Sequence, residues 1–278
     1  MIWADHIHLR SPGNVGLLAT IAQILFPSKI KTAKYAGNWD PFADEPLSYR
    51  IQKWILNNTF LTRNTKVLVY GEWPGTSKNI RSFFKATYRE EDKTPVTAKS
   101  LGGQIKFLFV GTLTAGKRPS YAIKVIEQLK NAGYNVTLAM YGEGKERERL
   151  EHYISEHDLE KTIELKGNQS EIVVRQAYKE SHFLLLPSKS EGWPKVVAEA
   201  MFWSCLPLAT GVSCVPYMVN FGERGVLLET DLAMDVEKIT QILNDQNGYN
   251  AKVTQSVAWS RKFTLDLFEK EVKNLLSR

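Results

Sequence analysis

Two carboxylates have the type and spacing that could do chemistry. Glu191 and Glu199 bracket the start of a predicted helix, one in the preceding loop and one inside an apolar run. A carboxylate in such a run is costly unless a polar group meets it. Gly192 lets the backbone approach a ligand, and Pro194 suits a first helical turn, whose free amides attract anions. The pattern predicts a site for an anion or for hydroxyl groups. The alternative is a solvent-facing Glu and a capping Glu.

A second motif, VGTLTAGKRP at 110–119, follows a strand-like run. Gly111, four residues, Gly116 and Lys117 match a phosphate-binding P-loop up to its last letter. A P-loop NTPase needs Ser or Thr there to hold Mg²⁺, and Arg118 cannot bind a cation. The motif therefore predicts a metal-free diphosphate site built from a helix N-terminus and two cations. An ordinary strand-to-helix turn with exposed Lys and Arg is the alternative.

The elements that must position these residues alternate along the second part of the chain. Their spacing is that of βαβ units, which predicts a parallel sheet covered on both faces and a Rossmann-like domain. The predicted strands are 106–110, 136–140, 163–165, 183–186, 206–209 and 226–228. The predicted helices are 120–132, 145–157, 172–181, 194–203 and 236–244.

The first part repeats this style on a smaller scale. We predict three strands, at 6–9, 31–35 and 66–70, and helices at 15–26, 49–61 and 77–88. A polar, aperiodic segment then reads as a linker. We therefore expect a partial N-terminal Rossmann-like domain at 1–90, a linker at 91–104, a C-terminal Rossmann-like domain at 105–258 and a final helix at 259–278. The opening strands of the first domain are expected to lie upstream of Met1.

Composition excludes several classes of protein. The chain has 278 residues, of which 43% are hydrophobic and 24% charged, as in ordinary globular proteins. It has no apolar run of about 18 to 20 residues and no signal-peptide pattern. Its two cysteines, Cys205 and Cys214, make neither a disulfide framework nor a metal site. These features predict reduced thiols and a cytoplasmic protein.

Positive charge is concentrated at the start of the chain. Residues 1–100 carry 14 Lys and Arg against 8 Asp and Glu, whereas the remainder carries 22 of each. Such a surplus suits nucleic acid, anionic lipid or phosphorylated substrates, a merely solvated face being the alternative. The segment IRSFFKATYR interleaves Arg81, Lys85 and Arg89 with aromatic residues, which predicts a basic helix in peripheral contact with the anionic inner face of a membrane. A core-packed helix with a basic rim is the alternative, and we expect no nucleic-acid partner.

Several motifs carry a resemblance to a known family. PSKSEGWPKVVAEAM resembles the E-x7-E signature of retaining glycosyltransferases of family 4. FLFVGTLTAGKRPSYAIKVIEQL resembles the first strand, glycine turn and lysine of their nucleotide-sugar domain, and VTLAMYGEG resembles the next strand and its Gly-x-Gly turn. The segments up to GERGVLL are similar in the same order, so the resemblance covers about 105–229. It implies an α/β protein of GT-B type: two Rossmann-like domains with parallel sheets that face each other across a cleft, the N-terminal one incomplete. The final helix would then pack back toward the first domain.

The resemblance also implies roles for particular residues. Glu199 would hydrogen-bond the ribose of a nucleotide sugar, and Lys117 would bind its diphosphate beside the Gly111 turn. The family usually has Arg directly after that glycine, and Thr112 stands there instead, so Arg118 is the candidate for the second cation. Glu191, together with the backbone of Gly192, Trp193 and Pro194, would hold the donor sugar, and Trp193 would line the donor pocket.

In the first domain, DHIHLRSPGN resembles the family's strand end with a histidine near the donor sugar. His8 is the candidate for that role, and Arg10 is a weaker candidate for an acceptor or phosphate contact. A structural role is the alternative for an isolated histidine.

The implied activity is transfer of a sugar from a UDP- or GDP-sugar to a hydroxyl group of a saccharide or lipid-linked acceptor. The resemblance implies retention at the anomeric carbon by front-face attack, without a metal or further cofactor, in cell-surface polysaccharide or glycolipid assembly. A catalytically inactive nucleotide-sugar-binding subunit and a P-loop-like NTPase are the alternatives.

Overall fold

The computed structural model describes residues 1–276 and contains two parallel sheets. The first sheet has the order β1-β2-β3-β4, so its strands follow one another as in the chain. Its strands are β1 (His6–Ser11), β2 (Ile30–Tyr35), β3 (Thr65–Tyr70) and β4 (Ile80–Phe83). Helices α1 (Asn14–Ala22) and α2 (Leu47–Leu56) follow β1 and β2, and the apolar core of this sheet includes Leu9, Ala33 and Val67.

The second sheet has the order β10-β9-β8-β5-β6-β7. Its strands are β5 (Ile105–Val110), β6 (Val136–Tyr141), β7 (Ile163–Gly167), β8 (Phe183–Leu186), β9 (Leu206–Thr210) and β10 (Val226–Leu228). The helices are α3 (Pro119–Asn131), α4 (Arg147–Glu156), α5 (Glu171–Glu180), α6 (Lys195–Phe202), α7 (Val215–Met218) and α8 (Leu232–Leu243). The strand order reverses between β5 and β8, and ligands of such sheets bind beyond the carboxyl ends of the strands at this reversal.

All six strands predicted for this sheet are present, and the prediction of an α/β protein with parallel sheets is confirmed. The inner strands β8 and β9 are buried throughout because both faces are covered, whereas the edge strand β7 carries Glu164 and Lys166. Phe107 and Phe109 of β5 belong to the core on one face, and Leu108 between them belongs to the core on the other. The sheet is thus a rigid, buried frame whose strand ends can hold a site.

The helix predicted at 77–88 is wrong, because this segment contains β4. In-register pairing from Val67↔Ile80 to Tyr70↔Phe83 makes β4 the fourth strand of a sheet for which we predicted three. The burial of β4 does not alternate, since Arg81 and Ser82 are both exposed before the buried Phe83, so pairing with β3 rather than the sequence period makes this segment a strand. The basic helical face predicted to contact a membrane is therefore absent. Within residues 1–276, no helix combines the length and apolar character needed to cross a bilayer.

The final helix predicted at 259–278 begins later, as α10 (Leu265–Leu276), and its predicted last two positions lie outside the described residues. A further helix that was not predicted, α9 (Gln246–Ser260), precedes it. Helix α10 returns to the first sheet, where the Phe268 ring lies 5.5 Å from that of Phe83. The Leu265 N–H donates to the carbonyl of Tyr88 at 2.8 Å. This helix therefore connects the two halves of the molecule by packing as well as by sequence.

Candidate functional site

The glycine turn after β5 packs backbone to backbone on the turn after β6. A Cβ atom added to Gly142 would lie 2.0 Å from the carbonyl oxygen of Gly111. One added to Gly144 would lie 2.3 Å from the carbonyl oxygen of Leu113. Side chains at Gly142 and Gly144 would push the two turns apart, so these glycines allow the turn after β5 to take its observed course.

The structure brings Lys117 and Glu191 together, although they follow different strands. Lys117 Nζ lies 2.5 Å from Glu191 Oε1, and the two side chains are 28% and 9% exposed. The backbone N–H of Lys189 donates to the carbonyl of Gly116 at 2.8 Å, which joins the two loops beside the ion pair. The pair lies where the strand order reverses, so the cation and the carboxylate occupy the expected crevice.

The loop after Glu191 is held between the two sheets. The carbonyl of Gly192 accepts hydrogen bonds from Ser213 Oγ and Cys214 Sγ, both at 3.0 Å. A Cβ atom on Gly192 would lie 2.7 Å from the carbonyl oxygen of Ala36, just beyond β2. Glycine is therefore required here because the first sheet approaches this loop closely.

Glu199, although it lies in an apolar run, has polar partners for its carboxylate. Its side chain, 14% exposed, accepts hydrogen bonds from Thr87 Oγ1 at 2.7 Å and from the Tyr178 hydroxyl at 3.1 Å. Burial and the adjacent carboxylate raise the pKa of Tyr178, which stays a donor. A carboxylate offers about four lone-pair positions, so two hydrogen bonds leave capacity for ligand hydroxyls. The Glu199 helix, α6, begins directly after Pro194.

The side chain of Trp193 is buried among other aromatic rings. The residue is 5% exposed, and its ring lies 5.7 Å from Tyr70, 6.2 Å from Trp259 and 6.1 Å from Phe263. Packing among aromatic rings outweighs exposure to a ligand here. Trp193 can therefore meet a donor sugar only through its backbone.

Thr112 and Arg118 take different places around the glycine turn. Thr112 is exposed, and Arg118 precedes α3 in the left-handed region, at φ 51°. Arg118 makes no ion pair with any residue of 1–276; its charge acts on Tyr121, whose hydroxyl donates to Asp235 Oδ2 at 2.6 Å. The structure thus pairs Lys117 with the candidate site and leaves Arg118 beside α3.

His8 lies within β1, away from the strand end. Its Nδ1 is 2.8 Å from Thr32 Oγ1, which also contacts His6 Nε2 at 3.0 Å. Burial, followed by the charges of His6, Lys34 and Arg10, lowers the pKa of His8. Arg10 occupies the same face two residues nearer the carboxyl end of the strand. Of the two candidates in this segment, Arg10 lies nearer than His8 to the carboxyl end of β1, which faces the site.

Several residues at the site were not found from the sequence. Thr87 lies in the segment wrongly predicted as a helix, and Tyr178, Ser213 and Ala36 carry no local motif. Only the packing of distant segments brings them to Glu199 and to the glycine loop. In the described part of the chain, no group of three His, Cys, Asp or Glu side chains is placed to hold a metal ion.

Residues 91–256 match the family model described as Glycosyl transferases group 1. An uncharacterized glycosyltransferase, MJ1178 of Methanocaldococcus jannaschii, is 30% identical over 158 residues, which are 56% of this chain and 43% of that protein. The putative colanic acid biosynthesis glycosyltransferase WcaL of Escherichia coli is 27% identical over 163 residues, 55% of this chain and 40% of that protein. The chain spans less than half the length of these curated relatives.

Solved structures resemble most of the chain. HepE of Anabaena, in complex with UDP, superposes with a TM-score of 0.76 at 14% identity, covering 97% of this chain and 78% of that one. The likeness shows that the chain has the GT-B type of fold.

Proposed function

Because the chain belongs to the group 1 glycosyl transferases, we propose that it transfers a sugar from a nucleotide-diphosphate sugar to an acceptor hydroxyl. The observation that carries this proposal is the Lys117–Glu191 pair at 2.5 Å, beside the glycine turn and the start of α6. One ligand can therefore place its diphosphate at the Lys117 cation and its sugar hydroxyls at the Glu191 carboxylate.

We propose that Lys117 binds the diphosphate and that Glu199 accepts hydrogen bonds from the ribose. Glu191 and the backbone from Gly192 to Pro194 hold the donor sugar. The donor is a UDP- or GDP-sugar, and the UDP bound by the HepE neighbour supports the former. Gly111 and Thr112 contribute backbone to the phosphate turn, and Arg118, which has no ion pair with residues 1–276, supplies the second cation.

The proposed chemistry is that of a retaining enzyme of family 4. The bond between the anomeric carbon and the phosphate oxygen breaks, and negative charge develops on the diphosphate. Lys117 and the free amides at the start of α6 would stabilise this charge, without a metal. The acceptor hydroxyl attacks from the face that the diphosphate leaves, and the departing phosphate oxygen takes its proton.

We propose a saccharide or lipid-linked acceptor, in cell-surface polysaccharide or glycolipid assembly. A cavity of about 300 Å³ beyond the carboxyl ends of β2 and β3 supports the saccharide. Its lining includes Trp39, Trp54 and Trp73, with Arg50 and Asn57 as polar groups. Aromatic faces with a few polar groups are the usual lining of small-molecule sites. The name of the relative WcaL supports the polysaccharide role.

The test combines calorimetry with UDP and GDP and a transfer assay with a panel of UDP- and GDP-sugars. We expect Lys117→Gln and Glu199→Gln each to weaken nucleotide binding about tenfold, because each removes a hydrogen bond to a charged group. Lys124→Gln and Glu148→Gln change the charge at exposed helix positions and serve as matched controls.

Tight nucleotide binding without transfer or hydrolysis would favour the inactive binding subunit. The proposal would be contradicted if Glu199→Gln left nucleotide binding unchanged and the full chain showed neither sugar transfer nor hydrolysis of the nucleotide sugars.

A further inference from the structure

Four cations converge where the first sheet meets the second. Arg10 and Lys34 are directly opposite each other in the register of β1 and β2 and so share one face of the sheet. Lys85 follows β4, and it lines one small cavity together with Lys195, the first residue of α6. We call Arg10, Lys34, Lys85 and Lys195 the cleft cation cluster.

One aromatic ring joins two members of the cluster. Lys34 Nζ lies 5.7 Å and Lys85 Nζ 5.4 Å from the ring centroid of Tyr70. The Lys34 ammonium is also 5.4 Å from the ring of Phe268 on α10. The two ammonium groups are thus held near each other by packing, although like charges repel at this range.

The cluster has almost no anion of its own. Within residues 1–276, Arg10, Lys34 and Lys85 form no ion pair, and the nearest carboxylate of Lys195 is that of Glu199 at 3.9 Å. Burial, followed by the charges of Lys85 and Arg10, lowers the pKa of Lys34. Burial, followed by the charges of Lys195 and Arg10, likewise lowers the pKa of Lys85. The protein keeps these cations together at an electrostatic cost.

A buried hydroxyl at the cluster also lacks a partner. Tyr70 is 1% exposed, and its oxygen makes no hydrogen bond with a described residue. Arg10 acts on this hydroxyl electrostatically, and burial raises its pKa, so the hydroxyl remains a donor. Buried polar groups are nearly always hydrogen-bonded, because an unpaired one loses its hydrogen bond to water without replacement. An anionic ligand would pair with the cations, which lack an anion, and would accept a hydrogen bond from the Tyr70 hydroxyl, which lacks an acceptor.

We propose that the cleft cation cluster and the Tyr70 hydroxyl bind a phosphate group of the acceptor, as a monoester or a diester. The inference rests on the proposed function, in which Lys117 takes the phosphates of the donor. The cluster adjoins the donor loop through two contacts. Gly192 touches Ala36 beyond β2, and the rings of Tyr70 and Trp193 lie 5.7 Å apart. An anionic acceptor bound there has its hydroxyl groups beside the donor sugar.

The test uses glycerol 1-phosphate as the probe, by calorimetry at low ionic strength, on the full chain saturated with UDP. We expect saturable binding that Lys34→Gln and Lys85→Gln each weaken about tenfold, because each removes a charge-assisted contact. Tyr70→Phe should weaken it less and leave the thermal unfolding temperature unchanged or raised, since the hydroxyl has no partner to lose. Lys66→Gln, with an exposed side chain at the other end of β3, is the matched control and should bind as the wild type does.

UDP affinity separates the two proposals. If the cluster variants keep UDP affinity and lose the probe, the assignment to the acceptor holds. If UDP competes with the probe, or the variants weaken both equally, the cluster belongs to the donor site and the inference is overturned. Absence of probe binding in a protein that binds UDP also overturns it. Failure of UDP itself to bind, with the probe still bound, contradicts the proposed function instead.

A second arm distinguishes the sources of the phosphate. Vesicles of phosphatidylglycerol, compared with neutral phosphatidylcholine, present a lipid phosphodiester. If the protein is retained on the anionic vesicles and Lys34→Gln and Lys85→Gln abolish this retention, the ligand is a lipid headgroup. If the protein binds only the soluble probe, the ligand is a soluble phosphorylated acceptor.

Discussion

Lys117 and Glu191 are 74 positions apart in the chain and form an ion pair with one partner almost buried. The glycine turn and the motif with Glu191 and Glu199 could be found from the sequence, because their chemistry lies in neighbouring residues. The partners of Glu199 could not, because Thr87 and Tyr178 reach it from distant segments. The burial of Trp193 could not be predicted either, since a loop residue between two site residues can face either way.

Replacement of Trp193 tests its assignment to packing. We expect Trp193→Phe to keep UDP affinity within about twofold, because the ring faces other aromatic rings and its indole nitrogen has no hydrogen-bond partner to lose. Trp193→Ala should lower the free energy of unfolding by about 3–5 kcal/mol, as large-to-small substitutions in cores do. Urea unfolding and calorimetry with UDP measure the two effects. A tenfold loss of UDP affinity in a folded Trp193→Phe protein would mean that the ring contacts the donor.

At the scale of elements, the second sheet was predictable and the first only in part. Strands β8 and β10 have the predicted bounds, because apolar runs between turn residues are unambiguous when both faces are covered. The segment around β4 shows no clear alternation of buried and exposed residues, and pairing with β3 makes it a strand. Helix α9 was missed because its apolar residues do not form one face, and buried positions such as Tyr249 and Trp259 are set by what surrounds them.

His182 ties three elements together and makes their stability depend on pH. Its Nδ1 accepts from the Lys106 N–H of β5 at 3.1 Å, and its Nε2 donates to the Ser100 carbonyl at 3.0 Å. Burial is the main reason that the pKa of His182 lies below 6.5 in the folded protein. The unfolded chain therefore takes up a proton at higher pH than the folded one. Stability is complete above about pH 6.5 and falls as the pH drops toward the folded pKa.

We therefore expect the free energy of unfolding to decrease between pH 7.5 and 5.5, by at most about 1.4 kcal/mol per pH unit for this one proton. Gln at position 182 can form both hydrogen bonds without titrating, so His182→Gln should flatten the slope. Urea unfolding of both proteins at pH 7.5, 6.5 and 5.5 measures the difference. Parallel curves would show that His182 does not contribute to the pH dependence.

At the scale of the molecule, the sequence indicated two α/β halves, and the resemblance implied a final helix that returns to the first, but the residues that join the halves were not predicted. That arrangement depends on close backbone contacts such as Gly192 with Ala36, and on α10 packing against Phe83 and Phe84. Arg89 adds ion pairs with Asp266 at 3.2 Å and Glu269 at 2.8 Å, exposed and of small energetic weight. Contacts of this kind join residues far apart in the chain and leave no periodic pattern.

Cys214 lies where the two halves meet, and the reactivity of its thiol can be used to measure how often the halves separate. It is 1% exposed, its Cβ is 3.0 Å from the position of a Cβ on Gly71, and burial raises its pKa to about 12. Cys205 is equally buried, with a pKa also raised to about 12, and belongs to the same apolar cluster, but it directly precedes β9 of the second sheet. Neither thiol can react with a disulfide reagent until it is exposed, because the thiolate is the nucleophile.

Separation of the two halves would expose Cys214 alone, whereas Cys205 becomes accessible only when the second sheet itself opens. We expect the Cys205→Ser protein, which keeps Cys214, to be modified faster than the Cys214→Ser protein, and saturating UDP to slow that reaction. Equal rates in the two single-thiol proteins would mean that the halves never part while the second sheet stays folded. If Cys214 reacts faster, the rate of this one sulfur atom measures how often the cleft between the two halves opens.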